Sequence, residues 1–242
     1  MVHLDHEICS YETDIHGLIR PSQLLRYSMH MSQVQQDSER LFTPETAEQM
    51  HLGWMLARFK YTQHATAHRG EKLRIVCSSR SVQLAYYIRE ARITRGGEEI
   101  ADVSMVWIPV DLEARRILRV SELEQVFSES APKTEHKDLR RLPLPKGLPE
   151  QTSLNIPYSL CDSNGHFSSA NYVDLLCDVF GFWRESPMRM ESMQLDYHAE
   201  FRPEERLTLF GAREGGIVTA RGVHDDGKTG FVASLRFAEI ED

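Results

Sequence analysis

The chain has 242 residues, 41% hydrophobic and 26% charged, the composition of a globular protein able to bury a core. Its net charge of −8 argues against general binding to nucleic acid or anionic lipid. No apolar run approaches the roughly 20 residues of a membrane helix, and Met1 to Glu7 lacks the basic region and apolar core of a signal peptide.

In chain order, Asp14-Ile15-His16-Gly17 precedes a helical stretch near Pro21 to Arg40. Strand-like runs follow, rich in β-branched and aromatic residues, among them Leu73 to Ser78 and Val103 to Ile108. Gly96-Gly97 between Tyr86–Arg95 and Glu98–Ile108 is a hairpin signal. Ser121 to Pro149 is charged, carries Pro132, Pro143, Pro145 and Pro149, and shows no sustained periodicity. It reads as a linker over 121–150, dividing the chain into 1–120 and 151–242.

The second part repeats the order of the first. Asp162-Ser163-Asn164-Gly165-His166 precedes a helical stretch near Ser169 to Arg184, capped at Ser168 or Ser169, and strand-like runs follow. Gly215-Gly216 and Asp226-Gly227 mark turns between them. Tyr61-Thr62-Gln63-His64-Ala65 matches Tyr197-His198-Ala199-Glu200, and Gly70-Glu71-Lys72-Leu73 matches Glu204-Glu205-Arg206-Leu207. Matches in one shared order imply an internal duplication. In the second helix Tyr172, Leu175, Leu176, Val179, Phe180, Phe182 and Trp183 cover most of the circumference, so it should be buried nearly all round. A curved antiparallel sheet wrapped around one central helix does that; a generic α+β sandwich is the competing architecture.

Together these residues resemble the acyl-ACP thioesterases. The motif Asp162-x-Asn164-x-His166, with Tyr172 six residues on, matches that family's D-x-N-x-H, and Tyr197-x-x-Glu200 matches its Tyr-x-x-Glu strand. Trp54 to Arg58, Gly70-Glu71, Trp107, and Asp111 through Arg115-Arg116 fall in the family's order too. The resemblance implies an α+β protein of two tandem hotdog domains, an N-terminal one (1–120) shaping the acyl pocket and a C-terminal one (151–242) carrying the chemistry. Many members have two Asn residues where this chain has Ser168 and Ser169, and many plant members have a Cys where this chain has Phe201. Without that thiol, the chemistry falls to water activated by carboxylate and imidazole.

Thioester hydrolysis needs a nucleophile, donors for the developing oxyanion and a route for the thiolate. Asp162, Asn164 and His166 alternate along what reads as an extended segment, which would point them to one face. The catalytic candidates are Glu200 as general base with His166 sharing the proton, Asn164 orienting water or carbonyl, and Asp162 fixing Asn164 and His166. Backbone N–H groups near Gly165 to Ser169 would take the oxyanion. Direct attack by Asp162 is the alternative. The first part has Asp14 and His16 but no Asn at the matching place, and Ala65 where Glu200 would be expected.

The resemblance also gives substrate-binding candidates, Gln33, Gln36, Trp54, Leu56 and Arg58. Candidates for docking an acidic acyl carrier protein are Arg115, Arg116, Arg119, Lys137, Arg140, Arg141 and Lys146. The partner expected is a carrier bearing a fatty acyl phosphopantetheine, with no nucleic acid and no membrane insertion. Cys9, Cys77, Cys161 and Cys177 are scattered and form no CxxC pair, so a reducing cytoplasm is expected, with Cys161 and Cys177 as packing residues. His3, His6, His16, His64 and His68 cluster loosely, but no metal site and no cofactor is expected. An acyl-CoA thioesterase, a hotdog hydroxyacyl-thioester dehydratase and a non-catalytic acyl-carrier binding module are the alternatives in function. A monomer and a homodimer both fit.

Overall fold

A computed structural model describes residues 2–38, 48–49, 51–78, 81–83, 86–114, 116–124, 140–181, 184 and 188–240. The first part runs β1 (His3–Glu7), a 3-10 turn (Ser10–Glu12), α1 (Pro21–Ser38), β2 (Leu52–Gln63), β3 (Lys72–Cys77), β4 (Ser81–Gln83), β5 (Tyr86–Arg95), β6 (Glu98–Asp111), β7 (Arg116–Ile117) and α2 (Val120–Glu124). The second runs β8 (Glu150–Asn155), a 3-10 turn (Tyr158–Leu160), α3 (Asn171–Phe180), β9 (Met188–Tyr197), β10 (Arg206–Glu214), β11 (Ile217–Val223) and β12 (Thr229–Glu239). The hairpins fall where glycine pairs announce them, Arg95 facing Glu98 and Glu214 facing Ile217 across two-residue loops.

All the described strands join one antiparallel sheet in the order β1-β3-β5-β6-β2-β9-β12-β11-β10-β8, with β4 beside β5 and β7 beside β6. This order reads alike from both ends: β1 answers β8, β3 answers β10, and the two series meet where β2 pairs β9, Arg58 opposite Asp196. The strand after each helix therefore does not pair with the strand that follows it in the chain. It crosses to pair with the last long strand of its own half, and that puts it at the seam.

The duplication reaches single hydrogen bonds. Ile8 N donates to Glu71 O and Gly70 N to Ile8 O; Ile156 N donates to Glu205 O and Glu204 N to Ile156 O. Gly70 has φ +84° there and Glu204 φ +70°, a conformation glycine adopts freely and glutamate rarely. Helix α1 packs on β3, β5, β6 and α3. Helix α3 meets its sheet through Tyr172, whose ring lies 5.3 Å from Tyr197 and 5.0 Å from Phe231. Residues of both halves, among them Leu24, Phe59, Leu176 and Leu195, form one buried cluster.

Three expectations about α3 and its surroundings change. Tyr172, Val173 and Leu176 are buried, but Leu175, Val179 and Phe180 are only half-buried; Phe182 and Trp183 lie outside the described residues. The N-cap is Ala170 with no side-chain cap, because the chain enters α3 with Ser168 O accepting from Asn171 N, so neither Ser168 nor Ser169 caps. Of the expected linker, 125–139 lies outside the described residues. Residues 140–149 have no regular structure, and α2 occupies its start. Among the described residues no helix is long and apolar enough to cross a membrane.

Candidate active site

Asp162 to His166 does not form the extended run expected of it. Gly165 N donates to Asp162 O at 3.0 Å, Asp162 N donates to His166 O at 2.8 Å, and Gly165 has φ +74°. The segment is a closed turn, which an Asp-x-x-Gly sequence favours because aspartate bonds local backbone and glycine takes the left-handed position. Asp162 Oδ1 accepts from Asn164 N at 2.9 Å and His166 N at 3.3 Å. Asp162 thus bonds the backbone of Asn164 and His166 and not their side chains. Asn164 itself is exposed.

Glu200 does not sit in a strand. β9 ends at Tyr197, and Glu200 belongs to the connection to β10. Two anchors fix that connection: His198 N and Ala199 N both donate to Gly230 O, and Phe167 N donates to Phe201 O at 2.7 Å. The second ties it to the Asp162 turn. Glu200 Oε2 then lies 2.9 Å from His166 Nε2, the side chains being 41% and 23% exposed, so the carboxylate meets the imidazole while staying open to water.

Tyr172 supports both segments. Its ring packs 4.5 Å from Phe167 and 6.4 Å from Phe201. Burial drives its phenol far above the ordinary range, and the charges of Glu200 and Asp162 add to this, so it stays neutral. Cys161 is held above its usual range by burial and by the Asp162 charge, which disfavours a thiolate nucleophile. Four of the expected oxyanion donors are engaged: Gly165, His166, Phe167 and Ser168 donate to Asp162 O, Asp162 Oδ1, Phe201 O and Leu160 O.

The other candidates are scattered. Gln33 is exposed and Gln36 half-buried on α1. Trp54 meets Tyr87 edge-on at 5.1 Å, and Leu56 packs against the core. Arg58 is buried in an ion pair with Asp196 at 2.8 Å, which commits its charge to the seam. Arg116 pairs with Glu122 at 2.8 Å, whereas Arg119, Arg140, Arg141 and Lys146 are exposed. Arg115 and Lys137 lie outside the described residues. Among the described residues, two trios bring possible metal-ligand atoms within 4.8 Å of one another, His6–Cys9–Glu12 and His64–Glu99–Asp102. In each the imidazole Nε2 meets a carboxylate at 2.9 Å, a pairing that satisfies both groups without an ion.

The first half builds the same turn. Asp14 Oδ1 accepts from His16 N at 2.9 Å and Leu18 N at 3.0 Å, Asp14 N donates to Leu18 O, Gly17 N to Asp14 O, and Ile19 N to Ala67 O. His64 N and Ala65 N both donate to Ile100 O, as His198 N and Ala199 N do to Gly230 O. The bonds therefore put His16 at the place of Asn164, Leu18 at that of His166, and Thr66, not Ala65, at that of Glu200. The sequence match missed this by one residue because it followed residue identity, and backbone bonding sets the register. Beside this second turn lies a cavity of about 580 Å³, reaching to α3 and β9 of the other half. None of Asp162, Asn164, His166 or Glu200 lines it.

Residues 2–126, just over half the chain, match the family model described as the acyl-ACP thioesterase N-terminal domain. No curated protein matches the sequence. The fold is similar to that of an acyl-ACP thioesterase from Bacteroides thetaiotaomicron, at TM-score 0.79 and 16% identity over 98% of this chain and 97% of the other. It is also similar to that of the 12:0-ACP thioesterase from Umbellularia californica, at TM-score 0.81 and 13% identity over 98% and 93%. A MaoC-like dehydratase from Phytophthora capsici shares the fold more loosely, at TM-score 0.52 and 12% identity over 78% and 72%, so the fold alone does not choose between hydrolysis and dehydration. The family match does choose: the chain belongs to the acyl-ACP thioesterase family and is a double-hotdog thioester hydrolase.

Proposed function

We propose that the fatty acyl thioester hydrolysed by this chain is carried on acyl carrier protein, and that the reaction releases free fatty acid and holo carrier in the cytoplasm during fatty acid synthesis. The observation that carries the mechanism is the 2.9 Å contact between His166 Nε2 and Glu200 Oε2, made by two loops tied through Phe167 and Phe201. Glu200 takes a proton from water, with His166 sharing it across that contact. The resulting hydroxide attacks the thioester carbonyl carbon, the C–S bond breaks, and the proton passes to the departing thiolate. Asn164 orients the carbonyl through its side-chain amide, since the backbone N–H groups of Gly165 to Ser168 are already engaged. Asp162 acts by holding the turn and is not the nucleophile.

The N-terminal hotdog (1–120) shapes the acyl pocket, and the C-terminal one (151–242) carries the chemistry. Support comes from the repeat. Extending the match of His64 to His198 back along the strands sets Trp54 and Leu56 against Met188 and Met190, which line the cavity beside the other turn. The carrier docks on the exposed cations Arg119, Arg140, Arg141 and Lys146.

The test is thiol release from acyl-carrier and acyl-CoA substrates. Glu200→Gln is expected to lower kcat by at least about 10²-fold, the usual contribution of a general base, with an unchanged circular dichroism spectrum. Full activity in that variant removes the assignment. Equal kcat/KM on the two carriers removes the carrier protein as the preferred partner.

A further inference from the structure

The cavity beside the Asp14 turn occupies, by the repeat, the position that the active site occupies beside the Asp162 turn. Its backbone frame is preserved, but the reacting groups are not: a leucine replaces the imidazole and a threonine replaces the carboxylate. What remains suits binding rather than hydrolysis. Leu18, Met188, Met190 and Phe237 give an apolar lining, and Arg20 and Thr66 bring polar groups to it. Arg189 lines it as well; its Nη1 donates to His64 O at 2.8 Å, while its Nε is buried with no hydrogen-bond partner. A buried donor without an acceptor is costly, and a ligand oxygen would relieve it once the guanidinium turns toward the cavity. The volume, about 580 Å³, falls within the range of sites that enclose small ligands.

We infer that this cavity is a second acyl-binding site, which holds a fatty acyl chain along its apolar lining with the polar end toward Arg20, Thr66 and Arg189, and leaves it intact. The chain can arrive as substrate thioester or as product carboxylate, and the chemistry recognised is shared. The cavity reaches Asp174, Cys177 and Asp178 of α3, and α3 follows directly from the Asp162 turn. A ligand there therefore rests on the helix that leaves the active site.

Titration calorimetry on the full wild-type chain tests this with two probes, dodecanoate and the non-hydrolysable thioether dodecyl-CoA. At least one probe is expected to saturate at two equivalents. Thr66→Phe, which fills the cavity from the position equivalent to Glu200, should return that probe to one equivalent while hydrolysis stays within about twofold. Arg189→Met should weaken only the second equivalent, by about tenfold, the loss of one charge-assisted contact; it also covers a folding failure of Thr66→Phe. Two equivalents of dodecanoate alone identify the product as occupant, and of the thioether alone the substrate. One equivalent of each probe in the wild type, or two in both variants with unchanged affinity, overturns the inference. The count does not depend on turnover, so it stands or falls separately from the hydrolytic mechanism.

Discussion

At the scale of single residues, the same motif supports two roles for Asp162. A carboxylate beside an imidazole can attack a carbonyl, or it can hold a loop. Its Oδ1 already accepts two backbone N–H groups, which favours the second. Asparagine keeps an acceptor oxygen at that place and removes the negative charge. Asp162→Asn should therefore keep hydrolysis within about tenfold of wild type, the cost of exchanging a charged for a neutral acceptor, while Asp162→Ala loses the turn and falls further. Steady-state kinetics on the two variants decide the matter: if asparagine is as inactive as alanine, the charge takes part in the reaction. The motif was legible because residue types name the chemistry. Its closed conformation was not, because alternation along a segment looks the same whether the chain is extended or folded back by a glycine.

Among elements, the informative one is the seam between β2 and β9. Arg58 is a substrate-binding candidate in the sequence through the family resemblance alone. The structure supplies an anion from within: Asp196 lies opposite it and also accepts from Leu142 N at 2.7 Å and Gln194 Nε2 at 3.0 Å. Both charged groups are out of water. Asp196→Ala should cost about 3–5 kcal/mol by leaving the buried guanidinium without its carboxylate, and Arg58→Met with Asp196→Leu should recover most of that. Urea unfolding of the single and double variants measures both values. A loss under about 1 kcal/mol for Asp196→Ala would mean that water reaches the pair. The helices followed from composition and periodicity, but pairing between strands far apart in the chain has no local signature.

The whole molecule joins two copies of one pattern through a continuous sheet and a shared core. Chains built from repeated units often unfold piecewise, but here the seam strands belong to both halves' packing. One cooperative transition is expected, with far-ultraviolet circular dichroism and tryptophan fluorescence coinciding in urea; separated curves would show halves that unfold independently. Having two copies also explains how one turn can keep the His166–Glu200 pair while the other holds Leu18 and Thr66: each keeps its backbone bonds whatever side chains it carries.

The sequence by itself determined the duplication, the order of strands and helices, the family and the identity of the polar residues, because patterning, turn residues and motif spacing are properties of the chain taken locally. Only the tertiary structure decided that Glu200 meets His166, that Arg58 is committed to Asp196, that Thr66 is the true counterpart of Glu200, and that a cavity persists beside the Asp14 turn. Each of these depends on hydrogen bonds and packing between segments distant in the chain. Such contacts are set by the fold as a whole and leave no mark on the residues to either side.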